Sequence, residues 1–223
     1  MNKSYSNTDP AISDYVCSLY AGEESRKKGI RRRAAERGLP DIHVSMTDGL
    51  HLEILARACQ AKKAVEVGTL AGYSGVWIAQ GLQRGGKLFT LELEPRHAET
   101  AQETFKKAGV AGKVKILVGP ALENLKKIAP KGPFDFMFID ADKVSYSAYL
   151  DWAAKYLRVG GVFAADNTFA FGLIAKPFKA RSGHQAQSVR ALLKFNRLAA
   201  RHPRFRTTIL PTGEGLTVGV KVK

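Results

Sequence analysis

The sequence has few cysteines, no long apolar run and no leader-like start. Its 223 residues include two cysteines, Cys17 and Cys59, whose spacing matches no metal or redox motif, and this excludes a disulfide-built scaffold. No apolar run approaches the ~20 residues that a membrane-spanning helix needs. The first seven residues are polar and lack the apolar stretch of a signal peptide. We therefore expect a cytoplasmic protein that does not engage a membrane.

Acidic residues are scarce as well, with 20 Asp and Glu against 35 Lys and Arg, which gives a net charge of +15. The excess is concentrated in two segments. Residues 26–37 contain seven basic side chains and one acidic, and residues 176–223 contain eleven and one. Two basic segments on a nearly neutral body favour a polyanionic or phosphorylated partner at one face, although solvated surface helices give the same pattern.

The length and a composition of 45% hydrophobic and 25% charged residues predict one globular domain over residues 1–223. Helical periodicity over 12–38 and 45–60 indicates an N-terminal helical cap within residues 1–60. Short apolar runs then alternate with amphipathic segments. The strand candidates are 64–67, 88–93, 114–118, 134–139 and 161–165, and the helices between them 73–83, 95–109, 121–129 and 145–157. This alternation predicts a doubly wound, Rossmann-like parallel α/β sheet.

The C-terminal part departs from this rhythm. A helix near 187–201 precedes strands at 205–210 and 216–222, and the five residues 211–215 between them read as a hairpin loop. We therefore expect seven strands, of which the last two form an antiparallel hairpin. Residues 168–186 show no clear periodicity and follow the end of a strand, which is typical of an active-site lid.

A glycine-containing turn follows the first strand, over residues 66–74. Its spacing is G-x-x-x-G rather than the G-x-G-x-x-G of dinucleotide-binding proteins, and a glycine turn alone is often only structural. Glu66 lies inside the strand, where a carboxylate is costly to bury without a partner, so a cationic ligand suits it and a pyrophosphate does not. Glu92 ends the second strand, at the position of a ribose-binding acid. A ribose with a cation favours S-adenosylmethionine over NAD.

Oxygen-bearing side chains follow the fourth and fifth strands. Asp140 comes after the fourth strand, and Asp166 and Asn167 come after the fifth. In an open α/β sheet, ligands gather beyond the carboxyl ends of the strands. Two carboxylates and an amide oxygen suit Mg²⁺ or Ca²⁺, whereas zinc would favour His or thiolate ligands. Each aspartate by itself could instead be a helix N-cap.

With these motifs the chain resembles the cation-dependent O-methyltransferases, the family of the caffeoyl-CoA and catechol enzymes and their bacterial relatives. The stretches that carry the resemblance are residues 66–74, 107–110, 119–121, 134–143, 159–162, 166–168 and 210–217. The resemblance implies a seven-stranded methyltransferase fold, usually assembled as a homodimer.

The resemblance also implies roles for individual residues. S-adenosylmethionine would contact Glu66, Gly68, Thr69, Ser74, Glu92, Ala121 and Asp142, with Asp140 near its methyl end. Asp140, Asp166 and Asn167 would hold a divalent cation, Mg²⁺ first and Ca²⁺ or Mn²⁺ as alternatives. Lys143 corresponds to the general base, the alternative being a surface lysine paired with Asp142. A cation that chelates a vicinal aromatic diol would lower a phenol pKa from ~10.

Three acceptors agree with this reading. The first, which the sequence favours, is a free catechol-type small molecule. The second is a CoA-linked catechol, whose phosphates would meet Lys176, Lys179 and Arg181. The third is tRNA, because some bacterial relatives methylate a hydroxylated wobble uridine and both basic segments could follow a nucleic-acid backbone. A binding protein that has lost its chemistry is disfavoured by the complete set of cation and base residues.

The chain departs from the plant enzymes beside the proposed acceptor. It carries Phe169, Ala170 and Phe171 where plant caffeoyl-CoA enzymes have Leu-Trp-Asn, and Leu50 where they have Gln. A polar substrate contact at position 171 is therefore missing. We expect the two phenylalanines either to pack against an aromatic acceptor or to anchor the lid.

Overall fold

The computed structural model describes residues 10–176 and 183–223. Within these ranges seven strands form one sheet in the order β3-β2-β1-β4-β5-β7-β6. They are β1 Lys63–Val67, β2 Lys87–Glu92, β3 Val114–Val118, β4 Phe134–Ile139, β5 Leu157–Ala165, β6 Phe205–Leu210 and β7 Leu216–Lys221. Strands β1 to β5 run parallel, and β7 lies antiparallel between β5 and β6. The predicted doubly wound sheet with a terminal hairpin is confirmed.

Helices cover both faces of the sheet. Over the described residues they are α1 Pro10–Leu19, α2 Ala21–Glu36, α3 Met46–Ala58, α4 Tyr73–Gly81, α5 Pro95–Lys107, α6 Ala121–Ile128, α7 Tyr146–Tyr156 and α8 Gly183–Ala200. One core cluster packs α3, α4 and α5 against the sheet, and the other packs α6, α7 and α8 against the opposite face. The central strands β1 and β4 are mostly apolar because both of their faces are buried, and Glu66 is the buried charged residue of β1.

The N-terminal segment differs from the single helix predicted over 12–38. The chain forms two helices that break at Tyr20, whose φ of −112° and ψ of 14° are not helical. The apolar residues at helical spacing in α1 are exposed, among them Ile12, Tyr15 and Leu19, and no residue of α1 is buried. The homodimer expected from the resemblance stays a prediction, as does the assignment of residues 1–223 to one domain.

Strand β5 begins earlier than predicted, at Leu157 rather than Gly161. Leu157 pairs with Phe134 across an irregularity in the β4–β5 register, and Gly160 with a φ of +77° turns the chain between the two parts of the strand. The hydrophobic pattern is interrupted before Gly161, and for this reason the sequence did not indicate the paired start of β5 at Leu157.

The predicted lid divides into parts. Its beginning is attached to the β6–β7 loop, because Thr168 N donates to Gly215 O at 3.0 Å and Phe169 N donates to Glu214 O at 2.9 Å. Residues 177–182, with the predicted anion contacts Lys179 and Arg181, lie outside the described residues. Helix α8 starts at Gly183, four residues before the predicted position. Closure of the segment over a site stays a prediction.

Two further expectations concern disulfides and membrane-spanning helices. Cys17 is exposed and Cys59 is buried, and both are free thiols, which agrees with the absence of a disulfide scaffold. No helix within residues 10–176 and 183–223 is long and apolar enough to cross a membrane.

Candidate active site

A cavity of about 1030 Å³ opens beyond the carboxyl ends of β1, β2, β4 and β5. This is the edge at which open α/β sheets bind ligands, next to the point where the strand order reverses between β1 and β4. The volume reaches the upper end of the ~300–1,000 Å³ typical of small-molecule sites. One cavity can therefore accommodate two neighbouring ligands.

The turn after β1 approaches β4 closely. Gly68 has a φ of +94°, and a Cβ at this position would overlap the carbonyl oxygen of Asp140. Gly72, with a φ of +81°, precedes the first residue of α4, and a Cβ there would lie 2.9 Å from the ring of Phe105. Gly68 thus lets the turn sit against the end of β4, and Gly72 lets the start of α4 pack closely against Phe105 of α5.

Glu92 holds this turn in place from the end of β2. Its Oε2 accepts hydrogen bonds from the backbone amides of Thr69 at 3.0 Å and Leu70 at 2.7 Å. Its Oε1 accepts one from the amide of Glu94 at 3.0 Å, and His97 Nδ1 lies 3.5 Å away. Glu92, the residue predicted to bind the ribose, therefore lines the cavity and also orders the loop after β1.

Glu66 lies beneath the cavity rather than among the residues that line it. It is fully buried, and its two carboxylate oxygens accept hydrogen bonds from the hydroxyls of Ser74 and Thr90, both at 2.6 Å. Burial raises the pKa of Glu66 to about 7, while the two hydroxyls act in the opposite direction. The partners of Glu66 are therefore two hydroxyl groups, whereas the sequence suggested a cationic ligand. Ser74, which also lines the cavity, connects Glu66 to it.

The remaining predicted cofactor contacts lie at the cavity wall. Thr69, Ser74, Ala121 and Asp142 all line it, Ala121 as the first residue of α6. Asp142 is fixed by its neighbours, because its Oδ1 accepts from the amide of Ser145 at 3.0 Å and its Oδ2 accepts from the hydroxyl of Tyr149 at 2.8 Å. The structure thus brings the set together around one space, with Glu66 behind it.

The three predicted cation ligands meet at the ends of β4 and β5. Ile139 pairs with Ala165, so Asp140 and Asp166 follow at matching positions of adjacent strands, which lie ~4.8 Å apart. Asn167 adopts a φ of +57°, a conformation that asparagine tolerates better than most residues. The backbone N–H of Asn167 donates to Asp166 Oδ1 at 2.7 Å.

The electrostatics of this corner fit a cation. The pKa of Asp166 is raised to about 7, first by burial and then by the negative charge of Asp140, and a bound cation would relieve both effects. Within the described ranges no group of three or more His, Cys, Asp or Glu is arranged for a metal. Two carboxylates and the Asn167 amide oxygen would therefore need water or acceptor oxygens to complete a hard-cation shell.

Lys143 lies beside these carboxylates. Its Nζ donates to Asp140 Oδ1 at 3.0 Å and to the hydroxyl of Tyr146 at 2.7 Å, rather than to Asp142 as in the alternative reading. Tyr146 is fully buried, and its hydroxyl donates to the carbonyl oxygen of Asp166 at 3.1 Å. Tyr146 was not predicted from the sequence, where the one indication of its role is its position three residues after Lys143.

A further acidic residue, also missed, reaches the cavity from the N-terminal cap. Asp48 lies in the first turn of α3, where its amide donates to Ser45 Oγ at 3.0 Å and Ser45 Oγ donates to Asp48 Oδ2 at 2.6 Å. It is buried and lines the cavity. The Ser-x-x-Asp spacing of a reciprocal helix cap could have indicated the bond but not the cavity.

The two phenylalanines of the departing motif take different positions. Phe169 is packed against Gly215 of the β6–β7 loop, where a Cβ would lie 2.6 Å from its ring, so it anchors the segment. Phe171 is 69% exposed and lines the cavity, and its amide donates to Glu214 Oε2 at 3.1 Å. Leu50 packs against the core instead of facing the site.

Comparisons with known proteins agree on one family. A family model described as O-methyltransferase matches residues 17–222. A catechol O-methyltransferase of Niastella koreensis is 40% identical over 166 residues, covering 74% of this chain and 75% of that protein. A catechol O-methyltransferase of Mycobacterium tuberculosis is 40% identical over 163 residues, covering 73% and 74%.

Solved structures show the same likeness. The O-methyltransferase from Bacillus cereus, in complex with SAH, superposes with a TM-score of 0.84 at 33% identity and covers 95% of this chain and 97% of that one. The O-methyltransferase TomG from Streptomyces achromogenes, in complex with SAM, gives a TM-score of 0.84 at 32% identity and 96% coverage of both chains.

Proposed function

The chain belongs to the O-methyltransferase family, and we propose that it transfers the methyl group of S-adenosylmethionine to one hydroxyl of a catechol-type small molecule with the aid of a divalent cation, Mg²⁺ in the first place. The observation that carries this proposal is the position of Lys143. Its Nζ contacts Asp140 at the corner where Asp166 and Asn167 also converge, within the cavity that the Gly68 turn lines.

S-adenosylmethionine fits the half of the cavity around the β1 turn. Relatives with this fold contain SAM or SAH, and the residues here match the chemistry of that ligand. Glu92 presents a carboxylate at the end of β2, where a ribose diol is bound in related sheets. The acidic side chains of Asp140 and Asp142 suit a sulfonium cation, whereas they would repel a pyrophosphate.

A divalent cation held by Asp140, Asp166 and Asn167 would stabilise the phenolate form of the diol and hold its two oxygens in place. The protein's own residues contribute the rest. Lys143 Nζ would accept the phenolic proton, and Tyr146 and Asp140 hold that nitrogen in position. When bound, S-adenosylmethionine would supply the methyl group to the phenolate oxygen, with the carbon–sulfur bond breaking to leave S-adenosylhomocysteine. The cavity supplies proximity and alignment.

Methyl transfer from labelled S-adenosylmethionine to a panel of catechols, with and without EDTA, tests this function. We expect EDTA to abolish transfer and Mg²⁺ added back to restore it, with Ca²⁺ and Mn²⁺ assayed in parallel. Single-hydroxyl phenols of the same size are the matched control, because they cannot chelate. Transfer that is insensitive to EDTA, or equal for phenols and catechols, would contradict the proposal.

A second candidate acceptor, tRNA, is supported by one face of α8. Three basic residues at helical spacing are exposed along this helix, and together with the exposed Arg201 that directly follows it they form the α8 stripe, which consists of Arg190, Lys194, Arg197 and Arg201. The first basic segment contributes less, because Lys27 is buried over the Trp77 ring and Arg37 is bonded to Glu103.

The two acceptors are separated by neutralising the stripe. Replacing Lys194, Arg197 and Arg201 with Gln should leave catechol turnover within about twofold but lower transfer to tRNA that lacks its native modifications, because phosphate contacts dominate such binding. Equal tRNA transfer before and after the substitutions would remove this candidate. The CoA-linked acceptor depends on Lys176 and on two residues outside the described ranges, Lys179 and Arg181.

A further inference from the structure

A second cavity, of about 460 Å³, lies in the turn between α8 and β6, and its volume falls within the ~300–1,000 Å³ typical of ligand sites. We call it the α8–β6 cavity; residues 200–203, 205–207, 222 and 223 line it. Strand β6 runs parallel to β5, because both pair antiparallel with β7, so it starts at the edge of the sheet opposite the candidate active site. A strand of six residues spans ~20 Å. The proposed reaction therefore gives this cavity no role.

Hydrogen bonds between three elements hold the walls of the α8–β6 cavity. Thr207 Oγ1 donates to Ala199 O at 3.1 Å and joins β6 to the end of α8. The backbone N–H of Val222 donates to Arg204 O at 2.8 Å and joins the residues after β7 to the turn. Phe205, which also lines the cavity, is buried in the core. The cavity is therefore built from the packed ends of α8, β6 and β7.

Every ionisable side chain that lines the α8–β6 cavity is basic. These residues are Arg201, His202, Arg206 and Lys223. The two arginines and the lysine are exposed, and over the described parts of the chain none of these three side chains forms a hydrogen bond or an ion pair. Like charges that share one space repel each other, so a bound anion would stabilise this group.

His202 can report on charge that binds in this cavity. Its imidazole is partly buried and lies on Phe205, with ring centroids 5.1 Å apart, and its Nδ1 accepts from the backbone N–H of Arg204 at 3.2 Å. Burial lowers the pKa of His202, the charge of Asp151 opposes this effect, and the charge of Arg204 adds to it. A bound anion would act in the same direction as Asp151 and raise the pKa of His202.

The α8 stripe leads into the α8–β6 cavity. Arg201 is the last member of the stripe and also lines the cavity, and the other members precede it by four, seven and eleven residues. Eleven residues of helix extend ~17 Å, so the positive charge continues well beyond the cavity. A single phosphorylated side chain would fill the cavity and leave the stripe unused, whereas a nucleic-acid strand carries a phosphate at every nucleotide.

The catalytic cavity has the opposite charge. Eight Asp or Glu residues line it, against two Lys or Arg residues, so it would repel the polyanion that the α8–β6 cavity attracts. The two ends of the sheet are therefore suited to different ligands.

We propose that the α8–β6 cavity binds a backbone phosphate of a nucleic-acid strand, which then follows the α8 stripe. The nucleic acid is a docked partner at this surface and not the methyl acceptor, so the inference does not rest on the proposed function. The guanidinium groups of Arg201 and Arg206 match a phosphate, which such groups bind through paired hydrogen bonds. Contacts of this kind fix a strand in place without reading its sequence.

The test measures binding of a fluorescein-labelled 12-residue oligothymidylate by anisotropy, because this probe contains neither a hydroxylated uridine nor a catechol. We expect the wild type to bind it, with a dissociation constant that rises by about 10-fold or more between 50 and 200 mM KCl. Arg206→Gln/Lys223→Gln should weaken binding by about 10-fold or more at 50 mM KCl. Both residues lie outside the α8 stripe, so this variant tests the cavity itself.

Lys106→Gln/Lys107→Gln is the matched control. It removes the same charge at the end of α5, which packs beside β3, at the other end of the strand order from β6. Binding of the oligothymidylate should stay within about twofold of the wild type. Melting temperatures establish that both double variants are folded.

The pKa of His202, followed through its imidazole NMR signals, gives a second readout. It should rise when the wild type binds the oligothymidylate, and it should change little in Arg206→Gln/Lys223→Gln. An acidic peptide of the same length with one phosphoserine is the competing ligand, and we expect it to bind more weakly than the oligothymidylate.

Four outcomes would overturn the proposal. The wild type does not bind the oligothymidylate at 50 mM KCl, or the two double variants lose affinity equally, which would mean that total charge alone attracts the strand. The strand binds without moving the pKa of His202, which would place it outside the cavity. Tighter binding of the phosphopeptide through Arg206 and Lys223 would assign the cavity to a phosphorylated protein. None of these results depends on whether catechols are methylated.

Discussion

The hydroxyl of Tyr146 lies 2.7 Å from the Nζ of Lys143 and holds it against the cation corner. The same hydroxyl donates to the carbonyl oxygen of Asp166 at 3.1 Å, so one buried side chain links the proposed base to the backbone of a proposed cation ligand. Burial, followed by the charges of Asp140 and Asp166, raises the pKa of Tyr146 well above its ordinary value, and the hydroxyl stays protonated. Tyr146 is therefore a positioning residue for Lys143.

Substitutions of Lys143 and Tyr146 should distinguish the proposed general base from the residue that positions it. Lys143→Met should lower kcat by about 10²–10⁴-fold, the usual contribution of a general base, with S-adenosylmethionine binding retained. Tyr146→Phe keeps the buried ring and removes the hydroxyl, so we expect a smaller loss in kcat and a shifted pH–rate profile. Steady-state kinetics from pH 6 to 9 measures both. An unchanged profile in Tyr146→Phe would remove the positioning role.

Replacing Asp166 should abolish cation-dependent activity without weakening cofactor binding. Asp166→Ala is expected to abolish cation-dependent activity while it leaves S-adenosylmethionine affinity largely intact, because the hydrogen bonds of Asp166 go to Ile139 at the end of β4 and to Asn167 rather than to the β1 turn. In the wild type, cation affinity should fall as the pH drops through about 7, where protons begin to occupy Asp166. Calorimetric titration of Mg²⁺ and of the cofactor measures these effects. Loss of cofactor binding in Asp166→Ala would contradict the assignment.

Glu92 should control cofactor affinity in two ways. Glu92→Ala removes the proposed ribose contact and also frees the amides of Thr69 and Leu70, so the dissociation constant for S-adenosylmethionine should rise by about 10-fold or more. Glu94→Gln is the matched control, because this neighbouring carboxylate lines the cavity but caps no helix amide. Equal affinities in Glu92→Ala and the wild type would remove Glu92 from the cofactor site.

Glu66 should make the metal-free protein less stable as the pH rises. Its folded-state pKa of about 7 lies above the ordinary value of 4.5, so the folded protein binds the extra proton between these values. Stability contributed by that proton is present below about pH 4.5 and is lost as the pH rises through about 7. Glu66→Gln lacks this titration, and its melting temperature should gain on the wild type from pH 5 to 8 in EDTA. Parallel melting curves across that range would show that Glu66 titrates normally.

The sequence was most informative at the ends of the parallel strands. Asp140, Asp166 and Glu92 could be placed because a strand pattern locates its own carboxyl end, and parallel strands share that edge. The partners of Glu66 could not, since Ser74 and Thr90 come from a helix and a neighbouring strand that meet only in the fold. Asp48 and Tyr146 were missed for the same reason, because burial against a distant element makes them part of the site.

The turn after β1 should tolerate no side chain at its first glycine. Gly68→Ala adds a Cβ that overlaps the carbonyl oxygen of Asp140 in a backbone with a φ of +94°, so either the turn or the end of β4 must move. Gly109→Ala is the matched control, because Gly109 also has a positive φ, +71°, but a Cβ there meets nothing within 4 Å. We expect Gly109→Ala to lower the free energy of unfolding by about 1 kcal/mol, the strain of the conformation alone. Gly68→Ala should lower it further and weaken both cofactor and cation binding, as measured by denaturant unfolding and calorimetry. Equal losses in the two variants, with binding intact in both, would show that the close approach of the turn to Asp140 is not required.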